Sequence, residues 1–117
     1  MRFGNRKLGV RLRVTLRKGV ALGPGKADLL EGIERTGSIA AAGRALGMSY
    51  TRAWGLVTEL NGEYRLPLVE AAKGGAVRGG ASLTPLGAEV LERYRRMEKR
   101  VGRTIAADLA ALRKRLA

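Results

Sequence analysis

The stretch Gly37-Ser38-Ile39-Ala40-Ala41-Ala42-Gly43-Arg44-Ala45-Leu46-Gly47-Met48-Ser49-Tyr50-Thr51-Arg52-Ala53-Trp54 constrains this chain more than any other. It reads as a short alanine-packed helix, a turn at Gly47-Met48-Ser49, and a second helix with a basic and hydroxylated outer face. Its small residues allow a neighbouring helix to approach closely. This is the helix-turn-helix layout, in which the second helix enters a DNA major groove.

The flanking segments supply the rest of a domain. Leu8, Val10, Leu12, Val14 and Leu16 alternate with Gly9, Arg11, Arg13, Thr15 and Arg17, which predicts a half-buried strand with a basic outer face. Lys18-Gly19 marks a turn, and Val20-Ala21-Leu22 is placed to pair back as a hairpin arm. After Gly23-Pro24-Gly25 a helix is expected from about Lys26 to Thr36, with Leu29, Leu30 and Ile33 on one face and Glu31, Glu34 and Arg35 on the other. Gly37 terminates it, because glycine adopts the left-handed conformation at little cost. Ser38 then caps the next helix, which ends near Leu46 and turns Ile39, Ala42, Ala45 and Leu46 inward.

The third helix is predicted from about Ser49 to Tyr64. Tyr50, Ala53, Leu56, Val57, Leu60 and Tyr64 fall on one side; Thr51, Arg52, Gly55, Thr58 and Glu59 fall on the other. Trp54 and Asn61 lie at the boundary. Leu68 to Ala71 and Ala81 to Leu83 bracket the glycine-rich loop Gly74-Gly75-Ala76-Val77-Arg78-Gly79-Gly80 and predict a hairpin. A hairpin directly after the third helix is a wing. Thr84-Pro85 opens a long helix, with Thr84 as N-cap and Pro85 at the first helical position. Leu86, Val90, Tyr94, Met97, Val101, Ile105, Leu109, Leu112 and Leu116 recur along it at spacings of three or four, and Gly102 is a point where it can bend or break. The expected fold class is mainly α with a small β component: a winged helix-turn-helix with an N-terminal β-hairpin and a long C-terminal helix. Residues 1–101 are expected to form the DNA-binding domain and 102–117 a helical extension that pairs two copies.

Charge points to the partner. Across 117 residues, 23 Lys and Arg face 10 Asp and Glu, for a formal net charge of +13. A surface that cannot neutralise itself favours phosphate backbones or anionic membranes. No run approaches the ~20 apolar residues needed to span a bilayer. No membrane partner is therefore expected, and the location is expected to be cytoplasmic. The chain lacks histidine and cysteine, which argues against zinc, iron–sulfur clusters and the common nucleophile–base pairs. No catalytic residue, metal or cofactor is expected.

The candidate site is the outer face of the third helix. Arg52 can donate two hydrogen bonds to a guanine edge or clamp a phosphate. Ser49 and Thr51 can meet phosphate with help from the helix N-terminus. Gly55 leaves room for close approach to the bases, Thr58 suits either role, and Tyr50 can reach phosphate through its hydroxyl or sit at the core edge. Trp54 reads as a packing residue and is left out. On the wing, Arg78 and the flanking Lys73 are expected to meet phosphate or a neighbouring minor groove. Neither glycine cluster has the Walker spacing. The expected partner is double-stranded DNA, bound by a homodimer that pairs through the C-terminal helix, whose apolar stripe exceeds the needs of one small core. Two other readings stand beside a regulator: an architectural protein that coats DNA without reading it, and a protein-interaction module on the same scaffold.

The residues Gly23-Pro24-Gly25-Lys26, Leu29-Leu30, Gly37-Ser38-Ile39, Ala41-Ala42, Ala45-Leu46-Gly47-Met48-Ser49-Tyr50 and Ala53-Trp54 resemble the N-terminal DNA-binding domain of the ModE-type molybdate-dependent transcriptional regulators. Asn61, Pro67-Leu68-Val69, Gly74-Gly75, Gly79-Gly80-Ala81 and Leu83-Thr84-Pro85-Leu86-Gly87 fit the same pattern, so the resemblance covers roughly Leu8 to Val101. The LysR-type winged helix is a looser match, sharing the Leu-Thr-x-x-Gly entry to the last helix. The resemblance implies a dimeric winged-helix regulator with Ser49, Tyr50 and Arg52 in its contact segment. The family pattern continues into molybdate-binding domains whereas this sequence stops at Ala117, so molybdate binding is not expected of this chain alone.

Overall fold

The computed structural model describes residues 8–71 and 80–117. In chain order the elements are β1 (Val14–Arg17), β2 (Val20–Leu22), α1 (Pro24–Thr36), α2 (Ile39–Ala45), α3 (Tyr50–Glu63), β3 (Val69–Ala71), β4 (Ala81–Leu83) and α4 (Pro85–Arg113). The fold is a winged helix-turn-helix with an N-terminal hairpin and a long last helix.

Local signals set most helix ends. Pro24 stands at the start of α1, and Gly37 closes it in the left-handed region at φ 71°. The Ser38 hydroxyl accepts from the Ala41 amide at 3.1 Å to open α2. Ser49 accepts from the Arg52 amide at 3.1 Å to open α3, and Thr84 accepts from the Gly87 amide at 3.0 Å to open α4. Leu29, Leu30, Ile33, Ala42, Ala53, Leu60, Leu68 and Tyr94 are fully buried. The helix-turn-helix closes tightly, because a Cβ on Gly43 would lie 3.0 Å from that of Ala53.

The N-terminal strand is shorter than the alternation predicts. β1 pairs with β2 in antiparallel register from Val14↔Leu22, and β2 is only three residues long before Gly23 turns into α1. The residues before Val14 therefore have no strand to pair with. Val10 and Leu12 remain half-buried, and the Leu12 carbonyl accepts a hydrogen bond from the Tyr94 hydroxyl on α4. Leu8 and Leu16, expected on the buried side, are 89% and 53% exposed.

Two long-range ties set the wing base against the helices. Asn61 on α3 accepts from the Leu68 and Val69 amides at 2.8 and 3.0 Å and donates to the Val69 carbonyl at 3.0 Å. β3 pairs with β4 from Val69↔Leu83 to Ala71↔Ala81, and the Ala81 amide donates to the Gly37 carbonyl at 2.8 Å. α4 then crosses so close to β3 that a Cβ on Gly87 would overlap the Leu68 carbonyl oxygen. Only glycine fits there.

One feature of α1 has no counterpart in the apolar pattern. Asp28 is 1% exposed, and its Oδ1 receives Arg95 of α4 at 2.8 Å while Oδ2 has no hydrogen-bond partner among the described residues. Arg95 also reaches Glu31 and Glu98, each at 3.0 Å. Burial alone would lower the pKa of Arg95, but the bonds to Asp28 and Glu98 outweigh it and raise the pKa above its ordinary value. The network joins α1 to α4 through charge.

α4 runs unbroken through Gly102 for 29 residues, about 43 Å at the usual rise per residue. Leu91 and Tyr94 are buried in its first half. Beyond Val101 the apolar stripe continues with little to cover it: Leu112 is 64% exposed, and Leu116, expected on the helix, lies past its end at Arg113 and is 76% exposed.

Candidate nucleic-acid interface

α3 presents a strip of small side chains. Thr51, Gly55, Thr58 and Gly62 follow one another at spacings of three or four, and all four are exposed. A Cβ added to Gly55 would meet nothing within 4 Å. Glycine inside a helix costs about 1 kcal/mol relative to alanine, and nothing in the chain requires it here. The strip is shallow and uncharged, with no acidic residue in the first turn. Ser49 caps the helix with an oxygen lone pair, which leaves its O–H free to donate outward.

The strip has two different flanks. On one, Arg52, Leu56 and Glu59 border a recess of about 420 Å³ shared with Arg13 of the N-terminal segment and with Gly23, Gly25 and Lys26 at the start of α1. Lys26 donates to the Ala21 carbonyl at 3.1 Å and to Glu63 at 2.9 Å, and lies 3.2 Å from Glu59. Burial works to lower the Lys26 pKa, but the carboxylates of Glu63 and Glu59 outweigh that and raise it. A single lysine thus serves both acids on the second half of α3 and offsets one of their two negative charges. Arg13, Arg17, Lys18 and Arg52 have no ion-pair partner among the described residues. Seven of the ten acidic residues (Asp28, Glu31, Glu59, Glu63, Glu89, Glu92 and Glu98) are held in ion pairs by other cations, namely Lys26, Arg35, Arg93, Arg95 and Arg96.

The other flank is aromatic. The apolar period assigns Tyr50 to the buried side of α3 and Trp54 to packing, yet Tyr50 is 61% and Trp54 44% exposed. Their rings meet edge-on, 6.1 Å apart at 64°. α2 meets α3 at Gly43 and Ala53, one turn beyond Tyr50, and leaves the first turn uncovered. Trp54 lines an apolar recess with Ile39, Val57, Val69 and Ala81.

The expected site residues Ser49, Tyr50, Thr51, Arg52, Gly55 and Thr58 are therefore all exposed on or beside one face of α3. Lys73 and Arg78, expected on the wing, lie outside the described residues. Arg13, one of the basic strand residues expected to meet phosphate, and Trp54, read as packing, also border this face. The approach of Arg13 to Arg52 depends on how the hairpin folds against α1. Periodicity tells which side Trp54 is on, not whether a neighbour covers it. Among the described residues no group of His, Cys, Asp and Glu can hold a metal ion, and no helix is long and apolar enough to cross a membrane.

Fold and exposed α3 together define the winged helix-turn-helix class of domain. The same fold appears in the solved structure of the CbnR DNA-binding domain in complex with DNA, at a TM-score of 0.59 and 24% identity, covering 75% of this chain and 95% of that one. It appears again in CbnR, a LysR family transcriptional regulator, at a TM-score of 0.57, covering 74% of this chain and 28% of that one. By sequence, the chain is 41% identical over 91 residues to the molybdenum-pterin-binding protein MopB of Rhodobacter capsulatus, covering 78% of this chain and 34% of MopB. It is 39% identical over 80 residues to the molybdenum transport protein ModE of Azotobacter vinelandii, covering 68% of this chain and 30% of that protein. It is 35% identical over 83 residues to the DNA-binding transcriptional dual regulator ModE of Escherichia coli K12, covering 71% of this chain and 32% of that protein. No protein-family model matches. Homologues of this chain, matched over 66–78% of its length, include the ModE, MopA and MopB proteins. The chain spans about a third of the length of the curated relatives it matches.

Proposed function

We propose that this chain is a sequence-specific, homodimeric DNA-binding regulator of ModE-like type, acting in the cytoplasm. In this reading α3 lies in the major groove and the wing touches the backbone or an adjacent minor groove. Gly55 carries the proposal: a helix-weakening residue, open to solvent at the centre of the exposed face, makes physical sense when a partner must come closer than a side chain allows. Ser49, Thr51 and Thr58 supply short donors to phosphate or base edges. Arg52 reads a guanine or clamps a phosphate, while Arg13, Lys73 and Arg78 neutralise phosphates on either side.

Residues 1–101 form the reading head in this proposal, and 102–117 belong to the segment that pairs two heads through the exposed stripe ending at Leu112 and Leu116. Support for a reading rather than a coating protein comes from the shallow, uncharged strip, since a purely electrostatic binder has no use for one. Gly55→Ala separates the two effects. It is expected to raise thermal stability by about 0.5–1 kcal/mol, because alanine is the better helix former, while weakening duplex binding. Unchanged binding would remove the main support for close approach.

The direct test is selection of bound duplexes from a random pool at about 150 mM salt, where weak electrostatic binding is suppressed. Enrichment of a two-fold symmetric sequence, with half-sites about one helical turn apart, is the expected result. Retention without enrichment would instead identify an architectural DNA-coating protein.

A further inference from the structure

A phosphate contact from the Tyr50 hydroxyl does not explain the exposed Trp54 ring beside it. Two large aromatic rings lie side by side on the first turns of α3, 61% and 44% exposed, bordering the strip of Thr51, Gly55 and Thr58. No acid lies in that first turn, and Arg52 projects toward the opposite flank, beside Arg13. Water is a poor partner for such a surface. A phosphate backbone is no better.

Trp54 has a neighbour on one side and open apolar space on another. It lines the apolar recess of Ile39, Val57 and Val69, and Tyr50 meets it edge-on at 6.1 Å. A large ring that is 44% exposed beside Tyr50 presents an apolar edge outward. Within a DNA major groove, the thymine C5-methyl is the apolar feature that distinguishes one base pair from another. We infer that Tyr50 and Trp54 form a thymine-reading clamp, in which the outer edge of Trp54 packs on a thymine methyl while Arg52 serves the other flank. Trp54 is thereby a specificity-determining residue, not a packing residue. The inference rests on the proposed reading of α3 as the DNA-recognition helix.

The test alters the DNA before it alters the protein. Each thymine in the selected operator is replaced in turn by deoxyuridine, which removes only the methyl group, and binding to the unaltered protein is titrated at fixed salt. One or two positions in each half-site are expected to lose about three- to tenfold in affinity, the worth of one buried methyl. Trp54→Ala should bind the thymine operator more weakly and be indifferent to deoxyuridine at those positions. Trp54→Phe should restore part of the discrimination. A melting curve for each variant reports whether it is folded, and the deoxyuridine series on the unaltered protein stands whatever the variants do. If a specific operator is found but every thymine tolerates loss of its methyl, the clamp is wrong and the regulator reading survives. If Trp54→Ala weakens selected and random duplexes alike, Trp54 is a backbone contact and the clamp is again overturned. If no operator is enriched at all, the reading of α3 fails and the clamp falls with it.

Discussion

The two halves of α4 carry the same apolar spacing and meet opposite fates. From Pro85 to Met97 the helix is part of the head: Gly87 lies on the Leu68 backbone, Leu91 and Tyr94 are buried, and Arg95 reaches into α1. From Val101 onward the same period continues to Leu112, 64% exposed, and Leu116, past the helix end at Arg113, is 76% exposed. An apolar stripe thus establishes that a helix face wants cover but does not say what covers it. The first half is covered by its own chain. The second is the face assigned above to a second copy.

That contrast predicts where substitutions hurt. The largest effect is expected from Arg95→Met, which leaves Asp28 as an unpaired buried carboxylate whose Oδ2 already lacks a partner. Removing one member of a buried pair costs about 3–5 kcal/mol, so chemical denaturation should find the head close to unfolding. A variant of near-normal stability would mean that the α1–α4 network does not hold the head together.

Gly87→Ala comes next. Its Cβ would overlap the Leu68 carbonyl oxygen, so α4 or β3 must shift, at a cost of about 1–3 kcal/mol. A fall in melting temperature is the expected readout. An unchanged melting temperature would show that the crossing has slack.

Tyr94 links the first half of α4 to pH. Burial and the neighbouring Glu98 push its pKa from 10.0 up to about 12, which favours the neutral phenol in the folded state. A raised pKa gives stability that is whole below about pH 10 and is lost as pH climbs toward 12, roughly 1 kcal/mol by pH 11. Tyr94→Phe should lower stability at pH 8 by about 1 kcal/mol, through loss of the bond to the Leu12 carbonyl, and should flatten the alkaline decline. An alkaline decline as steep in the variant as in the parent would assign it to other groups.

The smallest stability effect belongs to the far half. Leu112→Lys with Leu116→Lys should change the stability of the head by no more than about 0.5 kcal/mol, as surface substitutions do. Sedimentation should nevertheless shift from dimer to monomer. A dimer that survives both changes would mean that two copies pair through some other face.

Local chemistry was the most legible part of this molecule. Gly37, Ser38, Ser49 and Thr84-Pro85 act through neighbours within four residues, so the sequence suffices to place the helix ends there. The buried apolar residues Leu29, Leu30 and Ile33 of α1 and Ile39 and Ala42 of α2 follow from period alone. Contacts between distant segments were not legible. Nothing in the pattern around Asp28 marks it as buried, because its partner lies 67 residues away. Gly87 could be recognised by its setting, but its reason is the Leu68 backbone. The long alternation over Leu8 to Leu16 overstated β1 because strand length is decided by the partner, and β2 is short. The outward turn of Tyr50 and Trp54 has the same origin: period describes a helix, while exposure describes its neighbours.

The most direct measurement of a head that reads and a helix that pairs is the affinity for the selected operator before and after five base pairs are inserted between its half-sites. The insertion turns one half-site by about half a helical turn, away from the face reached by the second head. Affinity should fall by about a hundredfold for the parent protein, while the Leu112→Lys, Leu116→Lys variant, already monomeric, should bind both duplexes alike. Equal binding of the two duplexes by the parent would contradict the pairing of two reading heads by α4.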